Sequence, residues 1–142
     1  MSRNVSVHSG SSKYIQNISV GSHAFQADEP SDFGGNDAGP NPYELLLAAL
    51  GACTSMTLRL YASRKKWPLE QVTVRLEHWK VQATGRGGGG EPVDEIKKVV
   101  VLEGDLTNAQ RDRLLEVAGK CPVHRTLTKS VRICTLLETD AA

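Results

Sequence analysis

The chain has 142 residues, which is the size of one ordinary domain, and we expect a single domain spanning residues 1–142. Hydrophobic residues make up 39% of the chain and charged residues 23%, which is typical of a soluble globular protein and excludes a disordered tail or a fibrous repeat. The formal charge of +1 and the aromatic content of 5% argue against a nucleic-acid partner and against an anionic membrane surface.

The search for targeting signals and the number of cysteines indicate the cellular compartment of the protein. No stretch approaches the roughly 20 apolar residues of a membrane helix, and the first ten residues carry no apolar run behind a basic segment. We therefore expect a cytoplasmic protein. Three cysteines are too few for a disulfide scaffold. A disulfide in this reducing compartment is expected to be catalytic or redox-sensing rather than structural.

The first forty residues predict a small β meander followed by a long loop. Short β-prone segments around Val5, Tyr14–Val20 and Ala24–Ala27 lie within hairpin distance of one another. The segment Asp28–Pro40 is dense in turn-forming residues. A loop of this length inside a compact domain is usually functional or mobile.

The strongest helix signal in the chain follows this loop. Asn41 suits the N-cap and Pro42 the first helical position. The next residues are apolar or small on nearly all sides until Arg64–Lys66, and Pro68 follows. A helix without a polar face is buried on most sides, which predicts a central helix. Because it is too long for the rest of a small domain to cover, a partner subunit is predicted as well.

The second half of the chain predicts a strand, a flexible glycine-rich loop, a strand, two helices and a final strand. These elements are Val72–Val81, Thr84–Gly90, Ile96–Gly104, a helix capped by Thr107 and running to Ala118, a short helix from Pro122, and Val131–Leu137. Strands and helices in this order make an α+β fold.

The three cysteines differ in their local surroundings. Cys53 lies in the long helix among small residues that leave room at the sulfur, although a free cysteine is often only a small buried hydrophobe. Cys121 lies at a helix start near Lys120 and Arg125, which would favour a thiolate, and it could equally be a weak N-cap. Cys134 is interpreted as a core or surface filler of the last strand.

A metal site is a weaker alternative. Cys121 and His124 have a metal-like spacing and Cys53 could add a third ligand, but a closed zinc site needs four ligands. The remaining histidines and two runs of cations are interpreted as surface residues: His8, His23, His78, Arg64–Lys66 and Lys97–Lys98.

Two stretches of the chain together resemble the OsmC/Ohr family. Residues 39–53 read GPNPYELLLAALGAC, and residues 121–127 read CPVHRTL. The family pattern is an N-P-x-x-L helix start, a cysteine in the same long helix and a second cysteine before a proline. The resemblance covers nearly the whole chain, and its C-P-V-H form is closer to the OsmC-like branch than to the dedicated hydroperoxide-resistance enzymes.

The resemblance implies an OsmC-like α+β fold with antiparallel sheets around a long buried central helix, in an intertwined homodimer. It also implies a thiol-dependent peroxidase for organic hydroperoxides with its active sites at the subunit interface. Cys53 would attack as a thiolate and become a sulfenic acid, and Cys121 would resolve it to a disulfide. A dithiol, lipoyl-linked in known members, would be the reductant, and no metal or organic cofactor is needed.

The chain departs from the family in the groups that hold the thiolate. Family members use an arginine from the N-terminal strands and a glutamate in the first turn of the helix, whereas this N-terminal region offers only Arg3. Tyr43 takes the position after the proline. Glu44 is the only acid at the helix start, and nine residues separate it from Cys53, which puts the two on opposite helix faces.

Arg125 is therefore the cation expected to substitute for the family arginine. The alternative function is a catalytically weak dimer that binds an apolar small molecule or senses redox state for a partner.

Overall fold

The computed structural model describes residues 3–82 and 90–138. The predicted glycine-rich loop Thr84–Gly90 lies outside the described residues, apart from Gly90. The elements are β1 (Val5–Ser9), β2 (Gln16–Val20), β3 (His23–Ala27), α1 (Pro42–Lys65), β4 (Gln71–Val81), β5 (Val93–Glu103), α2 (Asn108–Ala118) and α3 (Pro122–Leu127). This content confirms the α+β class, with antiparallel sheets and one long helix.

The chain divides into two compact units, each built from two segments. Unit 1 comprises residues 1–49 and 76–97, and unit 2 comprises residues 50–75 and 98–142. The boundary therefore crosses α1, β4 and β5. The single domain expected from the chain length stays a prediction.

Unit 1 contains the predicted meander. Strands β1, β2 and β3 pair antiparallel in chain order, with Val5 opposite Val20 and Gln16 opposite Ala27. The turn between β2 and β3 contains Gly21 at a φ of 57°, a left-handed conformation that glycine adopts without steric cost. Alternation and turn chemistry were enough to predict this sheet.

The loop after β3 is organised by Asp28, whose residue surface is only 2% exposed. Its carboxylate accepts hydrogen bonds from the backbone N–H groups of Glu29, Asn36 and Ala38 at 2.8, 2.9 and 3.1 Å. A 3₁₀ turn, Ser31–Phe33, lies inside the same loop. Burial, the largest effect, raises the pKa of Asp28, but these three bonds together lower it below its ordinary value. The loop is therefore folded around a buried anion.

Unit 2 contains a hydrophobic core formed by α1 and α2. Its buried members are Leu58, Ala62, Leu106, Leu114, Val117 and Ala118. The predicted capping box of α2 is present, because the Thr107 side chain accepts from the Gln110 backbone N–H and the Gln110 side chain accepts from the Thr107 N–H. This cap fixes where α2 begins against the core.

The long helix α1 is buried along one face only. Its buried residues are Leu50, Gly51, Thr54, Leu58 and Ala62. Met56, in contrast, is 70% exposed and Leu60 is 53% exposed. A single chain covers only one face of this helix, so its predicted burial on most sides depends on the predicted partner subunit and stays a prediction.

The length and hydropathy of α1 also correct the statement that no stretch approaches a membrane helix. Residues Pro42–Lys65 include an 18-residue window with a mean hydropathy of 1.4, which is long and apolar enough for a span. One such helix is a weak indication, since core helices of soluble proteins meet the same criteria.

The predicted final strand, Val131–Leu137, is wrong: residues 131–138 are not assigned to a strand. Ile133, Leu136 and Leu137 are 85%, 86% and 90% exposed. Alternation alone does not make a strand, because its N–H and C=O groups need a neighbouring strand. The described part of this chain does not supply one here.

Candidate active site

Cys121 occupies the N-cap of α3 and is fully buried. Its backbone is extended (φ −65°, ψ 148°), and Pro122 begins the helix, as the sequence predicted. The Sγ atom accepts a hydrogen bond from the backbone N–H of His124 at 3.4 Å. The thiol is thus oriented by the first turn of its own helix.

Helix α1 brings a second thiol and a hydroxyl to Cys121. The Thr54 hydroxyl oxygen lies 2.9 Å from the Leu50 carbonyl oxygen and 3.5 Å from the Cys121 Sγ atom. Cys53, the preceding residue, is half-buried, and its thiol is near enough to that of Cys121 to lower the pKa of Cys121. Both cysteines are free thiols. The structure therefore places together the two cysteines that the sequence singled out.

A lysine from β5 provides the positive charge of this site. The Nζ atom of Lys98 lies 3.0 Å from the Thr54 Oγ1 atom, 2.7 Å from the Ala118 carbonyl oxygen and 3.0 Å from the His124 Nδ1 atom. An ammonium group has three N–H donors. In this arrangement each of the three has an acceptor, so the group is held in one position.

The charges of this cluster shift several pKa values. Burial, the largest effect, raises the pKa of the Cys121 thiol, but hydrogen bonds with Thr54, His124 and Cys53, together with the charge of Lys98, lower it overall. Burial lowers the pKa of Lys98, which the two cysteines partly oppose. Burial and the Lys98 charge both lower the pKa of His124. The site thus makes the Cys121 thiolate and the neutral His124 imidazole easier to form than they are in water.

Lys98 corrects the interpretation of Lys97–Lys98 as a solvated face. Lys97 is exposed, but Lys98 is half-buried. The strand pattern contained the signal that identifies it, because Ile96, Lys98, Val100 and Leu102 share one face of β5 and all are partly buried. A charge in the inward register of a strand requires partners, which distinguishes Lys98 from a surface lysine.

The two auxiliary residues proposed from the sequence have other surroundings. Glu44 is exposed and its carboxylate accepts from the Asn41 backbone N–H at 2.8 Å, while the Asn41 side chain accepts from the Glu44 N–H at 2.8 Å. This is a reciprocal cap of α1. Arg125 is exposed on α3. The cation found beside the cysteines is Lys98, which contacts Thr54, the neighbour of Cys53. Catalytic roles for Glu44 and Arg125 thus stay predictions.

Among the other histidines and cysteines, His78 differs from expectation. His8, His23 and Cys134 are exposed. The His78 side chain is only 15% exposed, its ring stacks on Tyr43 with centroids 4.5 Å apart, and its Nε2 atom lies 2.8 Å from an Asp94 oxygen. It is a packed residue of unit 1 and not an isolated surface histidine.

The zinc alternative has no geometric support in residues 3–82 and 90–138, where no three metal-ligating side chains are grouped. The Nδ1 atom of His124 faces the Lys98 ammonium at 3.0 Å. The lone pair of this nitrogen accepts the Lys98 hydrogen bond, so Nδ1 is not free to bind a metal ion.

Comparisons with known proteins agree on one family. The family described as "OsmC-like protein" matches residues 34–135. A search of curated proteins found no match. The fold resembles an OsmC-like protein from Mycoplasma pneumoniae, with a TM-score of 0.73 and 17% identity over 90% of this chain and 88% of that one.

Two further solved structures have the same fold. One is an organic hydroperoxide resistance protein OsmC from Legionella pneumophila, with a TM-score of 0.67 and 21% identity over 89% of each chain. The other is the organic hydroperoxide resistance protein OhrB of Bacillus subtilis, with a TM-score of 0.62 and 20% identity over 89% of this chain and 90% of that one. At these identities the likeness establishes the fold. With the family match over well over half of its length, the chain belongs to the OsmC-like protein family.

Proposed function

We propose that this protein is a cytoplasmic thiol-dependent reductase of organic hydroperoxides that uses Cys53 and Cys121. The observation that carries the proposal is that Cys121 contacts Thr54, the neighbour of Cys53, and that the Lys98 ammonium contacts the same Thr54 hydroxyl, although the two free thiols are far apart in the sequence. The names of the Legionella and Bacillus neighbours support the substrate class. Thiol chemistry of this kind needs no organic cofactor.

The exposure of the two cysteines supports different roles for them. Cys53 is half-buried and can be reached by a substrate, whereas Cys121 is fully buried. We therefore assign the attack on the hydroperoxide to Cys53. Its thiolate attacks the distal oxygen of the hydroperoxide, the S–O bond forms and the O–O bond breaks, so that Cys53 becomes a sulfenic acid and the alkoxide leaves as an alcohol after taking a proton.

Cys121 is assigned to the second step. Its thiolate attacks the Cys53 sulfur, the S–S bond forms, the S–O bond breaks, and hydroxide leaves as water after taking a proton. The lowered pKa of Cys121 supports this assignment, because the thiolate and not the thiol is the nucleophile. An external dithiol then reduces the disulfide by exchange and is itself oxidised.

We further propose that the protein is a homodimer, as the family resemblance implies. Large apolar side chains of unit 2 are exposed, among them Met56, Leu60 and Leu115. Soluble monomers rarely leave wide apolar patches in water. Sedimentation of the native protein and of Met56→Glu tests this: we expect a dimer that the charge weakens, and a monomeric native protein would contradict it.

The catalytic proposal is tested by following cumene hydroperoxide consumption with a lipoyl dithiol as reductant. We expect turnover by the native protein and by Cys134→Ser, which removes the exposed third cysteine as a matched control. Cys53→Ser should lose the activity. Cys121→Ser should consume one equivalent and accumulate a sulfenic acid that a dimedone reagent traps.

Intact mass measurement distinguishes the outcomes. Loss of two hydrogens from the native protein, with trapping only in Cys121→Ser, supports both assigned roles. If the native protein keeps its thiols through minutes of exposure to hydroperoxide, the proposed activity is wrong.

A further inference from the structure

The two thiols lie near the half-buried ammonium group of Lys98, whose three N–H donors all have acceptors. Lys98 extends from β5 and donates to a hydroxyl of α1, a carbonyl at the end of α2 and an imidazole of α3. One side chain thus connects four elements of unit 2 at the site where the cysteines meet. Removing an ammonium group from water costs free energy, which its three acceptors offset only in part. A lysine at this position therefore indicates a functional role.

We propose that Lys98 is the positioning residue of the resolving step and holds Cys121 ready as a thiolate through the hydroxyl of Thr54. This inference rests on the proposed function. It assigns to Lys98, in place of Arg125, the role of the cation that stabilises the thiolate. The Thr54 oxygen accepts from Lys98 at 3.0 Å and lies 3.5 Å from the Cys121 sulfur. One hydroxyl group, that of Thr54, therefore lies between the Lys98 ammonium and the Cys121 sulfur.

The geometry also orients that hydroxyl group. Because its oxygen accepts from the Lys98 ammonium, the Thr54 proton is directed away from Lys98, toward the Leu50 carbonyl or the Cys121 sulfur. Thr54 has one hydroxyl proton, which donates to the Leu50 carbonyl oxygen at 2.9 Å. When Cys121 is a thiolate and this proton turns to its sulfur, the sulfur has two donors for its negative charge, the hydroxyl and the His124 backbone N–H. Donors aimed at a charged form favour that form.

The fixed positive charge of Lys98 stabilises the negative charge that is present during the resolving step. The attacking group is the Cys121 thiolate and a hydroxide leaves from Cys53, so negative charge moves from the Cys121 sulfur to the oxygen that leaves Cys53. The charge of Lys98 acts on both cysteines. A preorganised ammonium stabilises this charge without rearranging. The titratable groups that face one another here are Cys53, Cys121, Lys98 and His124.

The experiment separates the charge of Lys98 from its bulk. Lys98→Met removes the charge and Lys98→Arg keeps it, while Lys97→Met on the exposed face of the same strand is the matched control. All are made in a Cys53→Ser, Cys134→Ser background, so that the ultraviolet absorbance of the thiolate reports Cys121 alone. The titration requires neither hydroperoxide nor access of a reagent to the buried sulfur.

We expect the Cys121 titration midpoint to rise by about one pH unit or more in Lys98→Met, as loss of a close opposite charge does. Lys98→Arg should retain part of the effect, and Lys97→Met should match the parent. With all cysteines restored, Lys98→Met should form the disulfide about threefold more slowly at neutral pH, because a smaller thiolate fraction is partly offset by the higher nucleophilicity of a more basic thiolate. Sulfenic acid formation at Cys53 should slow less.

An unchanged Cys121 titration in folded Lys98→Met would overturn the inference. If circular dichroism shows that Lys98→Met does not fold, Thr54→Val decides by the same titration, since it removes the hydroxyl group through which Lys98 acts. Failure of the proposed function is distinguishable: a native protein that does not consume hydroperoxide refutes the reductase, whereas the titration still decides the effect of Lys98 on Cys121.

Discussion

The Thr54 hydroxyl oxygen lies 3.5 Å from the Sγ atom of Cys121, although 67 positions separate the two residues in the chain. Both side chains are fully buried. The contact joins α1 to the N-cap of α3, and it brings Cys53, the neighbour of Thr54, to the second thiol.

Removing the Thr54 hydroxyl should affect both stability and thiol chemistry. Thr54→Val keeps the shape of the side chain but leaves one Lys98 donor without its acceptor, and we expect a loss of about 1–3 kcal/mol in the free energy of unfolding. The pKa of Cys121 should rise because one of its hydrogen bonds is lost. Urea unfolding and thiolate absorbance measure the two effects, and Thr57→Val on the same helix is the control.

A second prediction concerns how the stability of the reduced protein depends on pH below 6.5, the ordinary pKa of histidine. The pKa of His124 is lowered from 6.5 by burial and by the Lys98 charge. Between the folded and the ordinary value the unfolded chain binds more protons, so the free energy of unfolding should rise with pH across this window. Lowering the pH through 6.5 should therefore destabilise the protein.

The His124→Gln variant isolates this effect. Glutamine keeps an acceptor near Lys98 but does not titrate, so its unfolding free energy should depend less steeply on pH below 6.5 than that of the native protein. The Cys121 thiol contributes in the same direction at higher pH, toward its ordinary value of 9.0, because its pKa is lowered as well. Identical slopes in the native protein and His124→Gln would contradict the prediction.

Glu44 should behave as a cap and not as a catalytic acid. Glu44→Ala removes the acceptor of the Asn41 N–H, and we expect a loss of about 1 kcal/mol in unfolding free energy, as for other caps. Glu44→Gln should recover most of it, because an amide oxygen also accepts. Hydroperoxide turnover should be unchanged in both variants, and a loss of turnover in stable Glu44→Gln would instead indicate a catalytic carboxylate.

The buried carboxylate of Asp28 should control the order of the loop that contains it. Asp28→Ala leaves the backbone N–H groups of Asn36 and Ala38 without their acceptor, so the melting temperature should fall and proteases should cut the loop faster. Asp32→Ala, in the exposed part of the same loop, should change neither. Equal cleavage rates in the two variants would refute the role of Asp28.

The stability that Asp28 provides should also depend on pH. Its folded pKa is lowered from 3.8, so the contribution is present above 3.8 and is lost as the pH falls through the lower folded value. The acid unfolding of Asp28→Ala should therefore be less steep than that of the native protein.

Features that depend only on neighbouring residues were predictable from the sequence. Asn41 and Pro42 predicted the start of α1, Thr107 and Gln110 the capping box of α2, and Pro122 the start of α3, since caps act over three or four positions. The two cysteine motifs also predicted the family correctly. These signals need no knowledge of which elements pack together.

Only the tertiary structure decided which side chains meet. Lys98 looks like a surface lysine in the sequence until β5, α1 and α3 converge on it. The alternating residues Val131–Leu137 predict a strand, although the described chain offers no partner for one. Burial of a charge and pairing of a strand both depend on residues distant in the chain. Local patterns alone do not determine such contacts.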